Sequence, residues 1–157
     1  DIGPELDQTG LDRIASNVGQ GRSFDTWAHA GRDMAENGND IFPDFTLKDW
    51  IAFAKKVYRM NSSGRIKLDY DMKISEPFDG KGGGSGALWH ALENMKDIPT
   101  LILRGELSDL FSEQTAHKML QKLDKGELVT VPRVGHAPTL EEPASLDAIN
   151  QLLHRID

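Results

Sequence analysis

Residues 100–109 read Thr-Leu-Ile-Leu-Arg-Gly-Glu-Leu-Ser-Asp, and residues 127–136 read Glu-Leu-Val-Thr-Val-Pro-Arg-Val-Gly-His. Each opens as a short apolar run and ends in a loop that carries a glycine and titratable side chains. The first run, 100–103, follows Pro99 and stops at Arg104-Gly105. It has the length and continuity of a buried parallel strand. The second, 127–131, stops at Pro132. Between them, Ala116, Met119, Leu120 and Leu123 fall on one face of a helix expected over 113–123. After them, Pro143 suits the first turn of a last helix, where its missing N–H costs nothing. Ala144, Ala148, Ile149, Leu152 and Leu153 give that helix its buried face. Strand, loop, helix, strand, loop, helix is half of a doubly wound parallel sheet. The fold class is α/β, and its chemistry belongs in the loops at the carboxyl ends of the strands.

Those loops are Gly105-Glu106-Leu107-Ser108-Asp109 and Val134-Gly135-His136-Ala137-Pro138. Neighbouring parallel strands end side by side, so a carboxylate from one loop and an imidazole from the other can meet. An Asp that accepts the Nδ1–H of a His fixes its tautomer and stabilises the imidazolium formed when Nε2 takes a proton. Alone, Asp109 would read as the N-cap of the following helix, and His136 as a turn residue. At matching ends of consecutive strands they read as a catalytic acid and base, with Glu106 the next carboxylate in line.

Residues 5–60 read as helical. Leu11, Ile14, Ala15 and Val18 recur at helical spacing until Gly19 and Gly21. A second helix is expected from Ser23, as N-cap, to Asn37, with Gly38 as a left-handed stop. A third starts at Thr46, with Leu47, Trp50, Ile51, Ala54, Val57 and Tyr58 along one stripe. The plain reading of Trp27, Trp50, Phe53 and Tyr58 is packing between helices. The sharper one makes Trp27, Trp50 and Phe53 an aromatic wall over a ligand. Ile66, Leu68, Tyr70 and Met72 alternate, as in a short extended segment or a loop. Five of the seven residues 80–86 are glycine, the composition of a linker. The run lacks the Gly-Lys-Ser/Thr that a phosphate loop places after a strand.

Composition narrows the function. The 157 residues are 38% apolar and include 15 glycines, together near the roughly 45–50% of globular domains. A net charge of -7, with 25 acidic against 18 basic side chains, argues against a nucleic-acid partner, because phosphate binding needs clustered Lys and Arg. The chain has no cysteine, which excludes disulfides and thiolate metal sites and fits a reducing, cytoplasmic setting. His29, His90, His117 and His154 lack paired ligand spacing, so no metal is expected. No apolar run reaches the roughly 18 residues of a membrane span. The opening Asp1-Ile2-Gly3-Pro4 carries neither a signal-peptide pattern nor an initiator Met.

With these residues in hand, a resemblance can be stated. The segments Leu103-Arg104-Gly105-Glu106-Leu107-Ser108-Asp109 and Pro132-Arg133-Val134-Gly135-His136-Ala137-Pro138 resemble the acid and base loops of the α/β-hydrolase superfamily. The chain is similar to the C-terminal part of that fold. Residues 1–90 look like its helical cap with the linker at 80–86, and residues 91–157 like the end of its core. The resemblance implies Asp109 as triad acid and His136 as base, and it needs no cofactor. The family's nucleophile is a Ser in Gly-x-Ser-x-Gly, and none of the nine serines has that setting. The family's order is nucleophile, acid, base. The nucleophile is therefore expected before Asp1, and this chain alone is expected to be inactive. The implied function is hydrolysis of a carboxylic ester, lactone or similar small acyl substrate. The alternatives are carbon–carbon, epoxide or haloalkane hydrolysis, or a non-catalytic interaction module. Two strands leave a sheet edge open, so self-association or pairing with a complementary N-terminal chain is expected.

Overall fold

In the computed structural model, residues 2–71, 73–74 and 85–156 are described. The glycine-rich linker lies outside them up to residue 84. The elements in chain order are α1 (Gln8–Asn17), β1 (Ser23–Phe24), α2 (Trp27–Gly38), α3 (Leu47–Val57), β2 (Tyr58–Met60), β3 (Ile66–Leu68), α4 (Ser85–Glu93), β4 (Thr100–Gly105), α5 (Glu113–Leu120), β5 (Gly126–Val131) and α6 (Pro143–Ile156). The chain forms two compact units, residues 1–13 with 83–157 and residues 14–82. The first thirteen residues thus go with the parallel sheet, and the division falls inside α1.

In the first unit, β4 and β5 pair in parallel, in register from Thr100 opposite Gly126 to Gly105 opposite Val131. The first run is two residues longer at its end, and the second one residue longer at its start, than the apolar pattern alone suggests. Leu92, Ile102, Phe111, Ala116, Met119 and Leu123 form the core beside the sheet. The helix expected over 113–123 ends at Leu120, where the Gln121 N–H closes the last turn. Leu123 still reaches the core from the turn that follows. Ser112 caps α5 by accepting the Thr115 N–H, so Asp109 is not spent as that cap. Pro143 opens α6 as expected.

The second unit is mainly helical. Ala30, Ala54, Tyr58 and Ile66 are its buried centre. The N-cap of α2 is Thr26, which accepts the His29 N–H, and Ser23 lies instead in β1. Gly38 is not a left-handed stop. It is the last residue of α2, followed by Asn39 in right-handed helical geometry. A Cβ there would sit 2.5 Å from Trp50 Cη2, so close packing is what requires glycine. Thr46 caps α3 in a capping box with Asp49. β3 pairs antiparallel with both β1 and β2, which makes the alternating stretch at Ile66 the centre of a small sheet. The alternation from Ile66 shows in the sequence, but its partners β1 and β2 are two and three residues long, too short to show a period.

Candidate functional site

The candidate site is built where β4 and β5 end. Gly105 closes β4, and a Cβ on it would collide with the carbonyl oxygens of Gly135 and Val134. Only glycine lets the two loops touch here. Backbone bonds then join them: Glu106 N–H to Val131 O at 2.9 Å, and Leu107 N–H to Val134 O at 2.9 Å. The Glu106 carboxylate accepts the Arg133 N–H at 2.7 Å. Glu106 therefore serves as a clamp on the second loop.

The acid loop is ordered from below by Arg104. Arg104 is 8% exposed, and its guanidinium donates from Nε to Phe111 O at 2.8 Å. It also reaches Glu106 O at 3.3 Å. Ser108 Oγ accepts the Phe111 N–H, and the Ser108 N–H returns to Gly105 O. Ser108 is thus a turn-former beside Asp109. On the base side, Glu142 accepts from the N–H and hydroxyl of Thr139 and from the Ser145 hydroxyl. That carboxylate ties the end of the His136 loop to the first turn of α6.

Asp109 is half-buried, and both its oxygens accept from Arg13. Arg13 Nε donates to Oδ2 at 2.5 Å, and Nη2 to Oδ1 at 2.7 Å. The bidentate guanidinium holds the carboxyl below its ordinary range; burial opposes this, and the charge of His136 adds a smaller push in the same direction. His136 is half-buried too. Burial chiefly holds its imidazole below the ordinary value of 6.5; the Arg13 charge is among the smaller causes in that direction, while Asp109 pulls it up. The two candidate residues thus act on each other's charge, at the ends of paired strands. Such a site can keep an imidazole neutral and basic near neutral pH, with a carboxylate beside it.

Arg13 is a residue that sequence reasoning missed. It lies 96 positions from Asp109, and nothing local in Leu-Asp-Arg-Ile marks it. The aromatic candidates divide. Trp50 is 2% exposed and wedged among Phe42, Phe45 and Phe53 at centroid distances of 5.1–6.2 Å. It packs the core of the helical unit and has no face open to a ligand. Trp27 and Phe53 are only half-buried. Among the described residues no cluster of three or more His, Asp or Glu could hold a metal, and no helix is long and apolar enough to cross a membrane.

Comparison with known proteins places this geometry in a larger fold. No protein-family model matches the chain. An α/β-hydrolase from Novosphingobium aromaticivorans superposes over 99% of the chain and 55% of its own length, at 49% identity and a TM-score of 0.88. E-2-(acetamidomethylene)succinate hydrolase superposes over 98% of the chain and 55% of its own length, at 21% identity and a TM-score of 0.75. The latter likeness shows the fold alone. In sequence, the chain is 28% identical over 154 residues to the 3-hydroxybutyrate-oligomer hydrolase of Cupriavidus necator, matching 93% of this chain and 52% of that one. The chain spans about half the length of each. It has the fold of the C-terminal part of an α/β-hydrolase: the end of the parallel sheet with a mainly helical cap.

Proposed function

We propose that this chain supplies the acid and base of an esterase-type α/β-hydrolase, with Asp109 as the acid and His136 as the base. The nucleophile is a serine on the part of the fold that this chain does not span. It attacks the acyl carbon. His136 accepts its proton and passes it to the leaving oxygen, then activates the water that releases the acid product. Asp109 holds the imidazole tautomer and stabilises the imidazolium. The observation that carries the reading is that the Asp109 and His136 loops leave the paired ends of β4 and β5 and are bonded to each other through Leu107 N–H and Val134 O. The relative named for oligomers of a hydroxy acid supports an ester as substrate, because a hydroxyl joined to a carboxyl is an ester. No step calls on a cofactor.

The two-strand sheet leaves one edge of each strand unpaired among the described residues, and strands from the rest of the fold or from a second copy are proposed to cover it. Without a nucleophile the chain by itself is expected to leave p-nitrophenyl esters intact. The test is hydrolysis of p-nitrophenyl butyrate by the product of the whole reading frame. His136→Ala and Asp109→Asn are each expected to lower kcat on the order of 10⁴-fold or more. Turnover within a few-fold of the parent in either variant, or an inactive parent, would overturn the assignment.

A further inference from the structure

The start of α1 is fixed onto the acid loop by backbone. The Asp7 N–H donates to Leu110 O at 2.9 Å. One turn on, Gly10 is buried so closely that a Cβ would lie 2.7 Å from Leu110 Cα and 2.8 Å from Asp109 O. Arg13 follows at i+3, on the same face of the helix, and grips both oxygens of Asp109. Glu5, just upstream, bonds Lys118 of α5 at 3.0 Å. This segment is therefore anchored at Glu5, Asp7 and Gly10 before Arg13 grips the carboxylate. Its guanidinium is delivered by a rigid element, and a bidentate fork fixes the plane of a carboxylate as well as its place.

We propose that Arg13 is a positioning residue, which orients the Asp109 carboxylate toward His136 by holding both of its oxygens. The inference rests on the acid–base reading above. Each carboxylate oxygen has two lone-pair sites, so a fork that uses one on each leaves another on each for an imidazole N–H. Arg13 then orients the acid without competing with the base. Arg13 and Asp109 both act on the charge of His136, in opposite directions. A lysine at position 13 would keep the charge and lose the fork, which separates orientation from electrostatics.

The test is a cycle read by NMR on this chain. The titration midpoint of the His136 ring is measured with and without Asp109→Asn, in three backgrounds: parent, Arg13→Lys and Arg13→Gln. Because Asp109 pulls the imidazole up, Asp109→Asn is expected to lower the midpoint in the parent. In both Arg13 variants the same substitution is expected to move it less. A full-sized shift in both Arg13 variants would overturn the proposal. So would a full-sized shift in Arg13→Lys with a reduced one in Arg13→Gln, since charge alone would then account for the effect. No shift in the parent would overturn the acid–base pairing itself, so the two failures are distinguishable. Comparing each pair within one background cancels the direct effect of the charge at position 13. Arg13→Lys, as the conservative change, keeps the test usable if Arg13→Gln folds poorly.

Discussion

The Glu106 carboxylate accepts the backbone N–H of Arg133 at 2.7 Å, and Arg133 sits at φ 56°, in the left-handed region. A side chain on the acid loop thus holds a strained residue on the base loop. An exposed hydrogen bond of this kind contributes about 1 kcal/mol, close to the roughly 1–2 kcal/mol that a left-handed non-glycine residue costs. Glu106→Ala is expected to lower stability by about that 1 kcal/mol. Arg133→Gly in the same chain should restore part of it, because glycine adopts this φ freely. Urea midpoints of the two variants and the double variant check this. A double variant less stable than Glu106→Ala alone would refute it.

Gly10 tests the seat of α1 without altering a charge. Alanine there gains roughly 1 kcal/mol of helix propensity over glycine. Its Cβ, however, would meet Leu110 Cα at 2.7 Å, and a backbone neighbour cannot give way. Gly10→Ala is therefore expected to push α1 off the acid loop and to destabilise by about 1–3 kcal/mol. The downward shift of the His136 midpoint caused by Asp109→Asn should shrink with it. A stabilised Gly10→Ala chain would show that the approach is looser than described.

Gly38 poses the same contest inside the helical unit. Propensity alone makes Gly38→Ala favourable by roughly 1 kcal/mol. The neighbour here is a side chain, Trp50, but it is locked among Phe42, Phe45 and Phe53 and cannot swing away. Overpacking of about 1–3 kcal/mol should win. A thermal midpoint below that of the parent is expected, and one above it would count against the packing account.

What could be read in the sequence follows from how local each signal is. The apolar runs at 100–103 and 127–131 are local, and so are the loops that end them; the pairing of β4 with β5 and the meeting of those loops followed. The start of α3 at Thr46 was legible because the apolar stripe from Leu47 to Tyr58 follows it directly. The alternation from Ile66 was legible as an extended segment or a loop, but the strands at Ser23 and Tyr58 were not, because two or three residues are too few to establish a period of two. Gly38 was misread because the reason for its glycine, Trp50, lies twelve positions away and acts through space. Arg13 left no trace for the same reason, as its partner is in the other half of the chain. The placement of α1 against Leu110 is tertiary, and residues 5–60 carry only helical amphipathicity to announce it.

Acid should weaken this fold in two stages, and the sign can be worked out. His136 in the folded chain has its midpoint below the ordinary 6.5, chiefly through burial. Between the two midpoints the unfolded chain binds more protons than the folded one, so stability rises with pH there. The His136 contribution is therefore complete above about pH 6.5 and is lost as the pH falls from there toward the folded midpoint. Asp109 is also lowered, chiefly by the Arg13 hydrogen bonds. Its contribution is present above the ordinary carboxylate value and is lost as the pH falls through the lower folded value. Glu142 joins that second stage. Burial resists its ionisation, but the bonds from Thr139 and Ser145 outweigh it. Urea midpoints across roughly pH 8 to 3, the range of both groups, should fall in a first step below neutrality and a second in the carboxylate range. His136→Gln should remove the first step and leave the second. Asp109→Asn should diminish the second and lower stability at neutral pH, because it leaves the half-buried Arg13 guanidinium without its carboxylate. If His136→Gln loses as much stability as the parent between neutral pH and about pH 5, then His136 is not the group that titrates there.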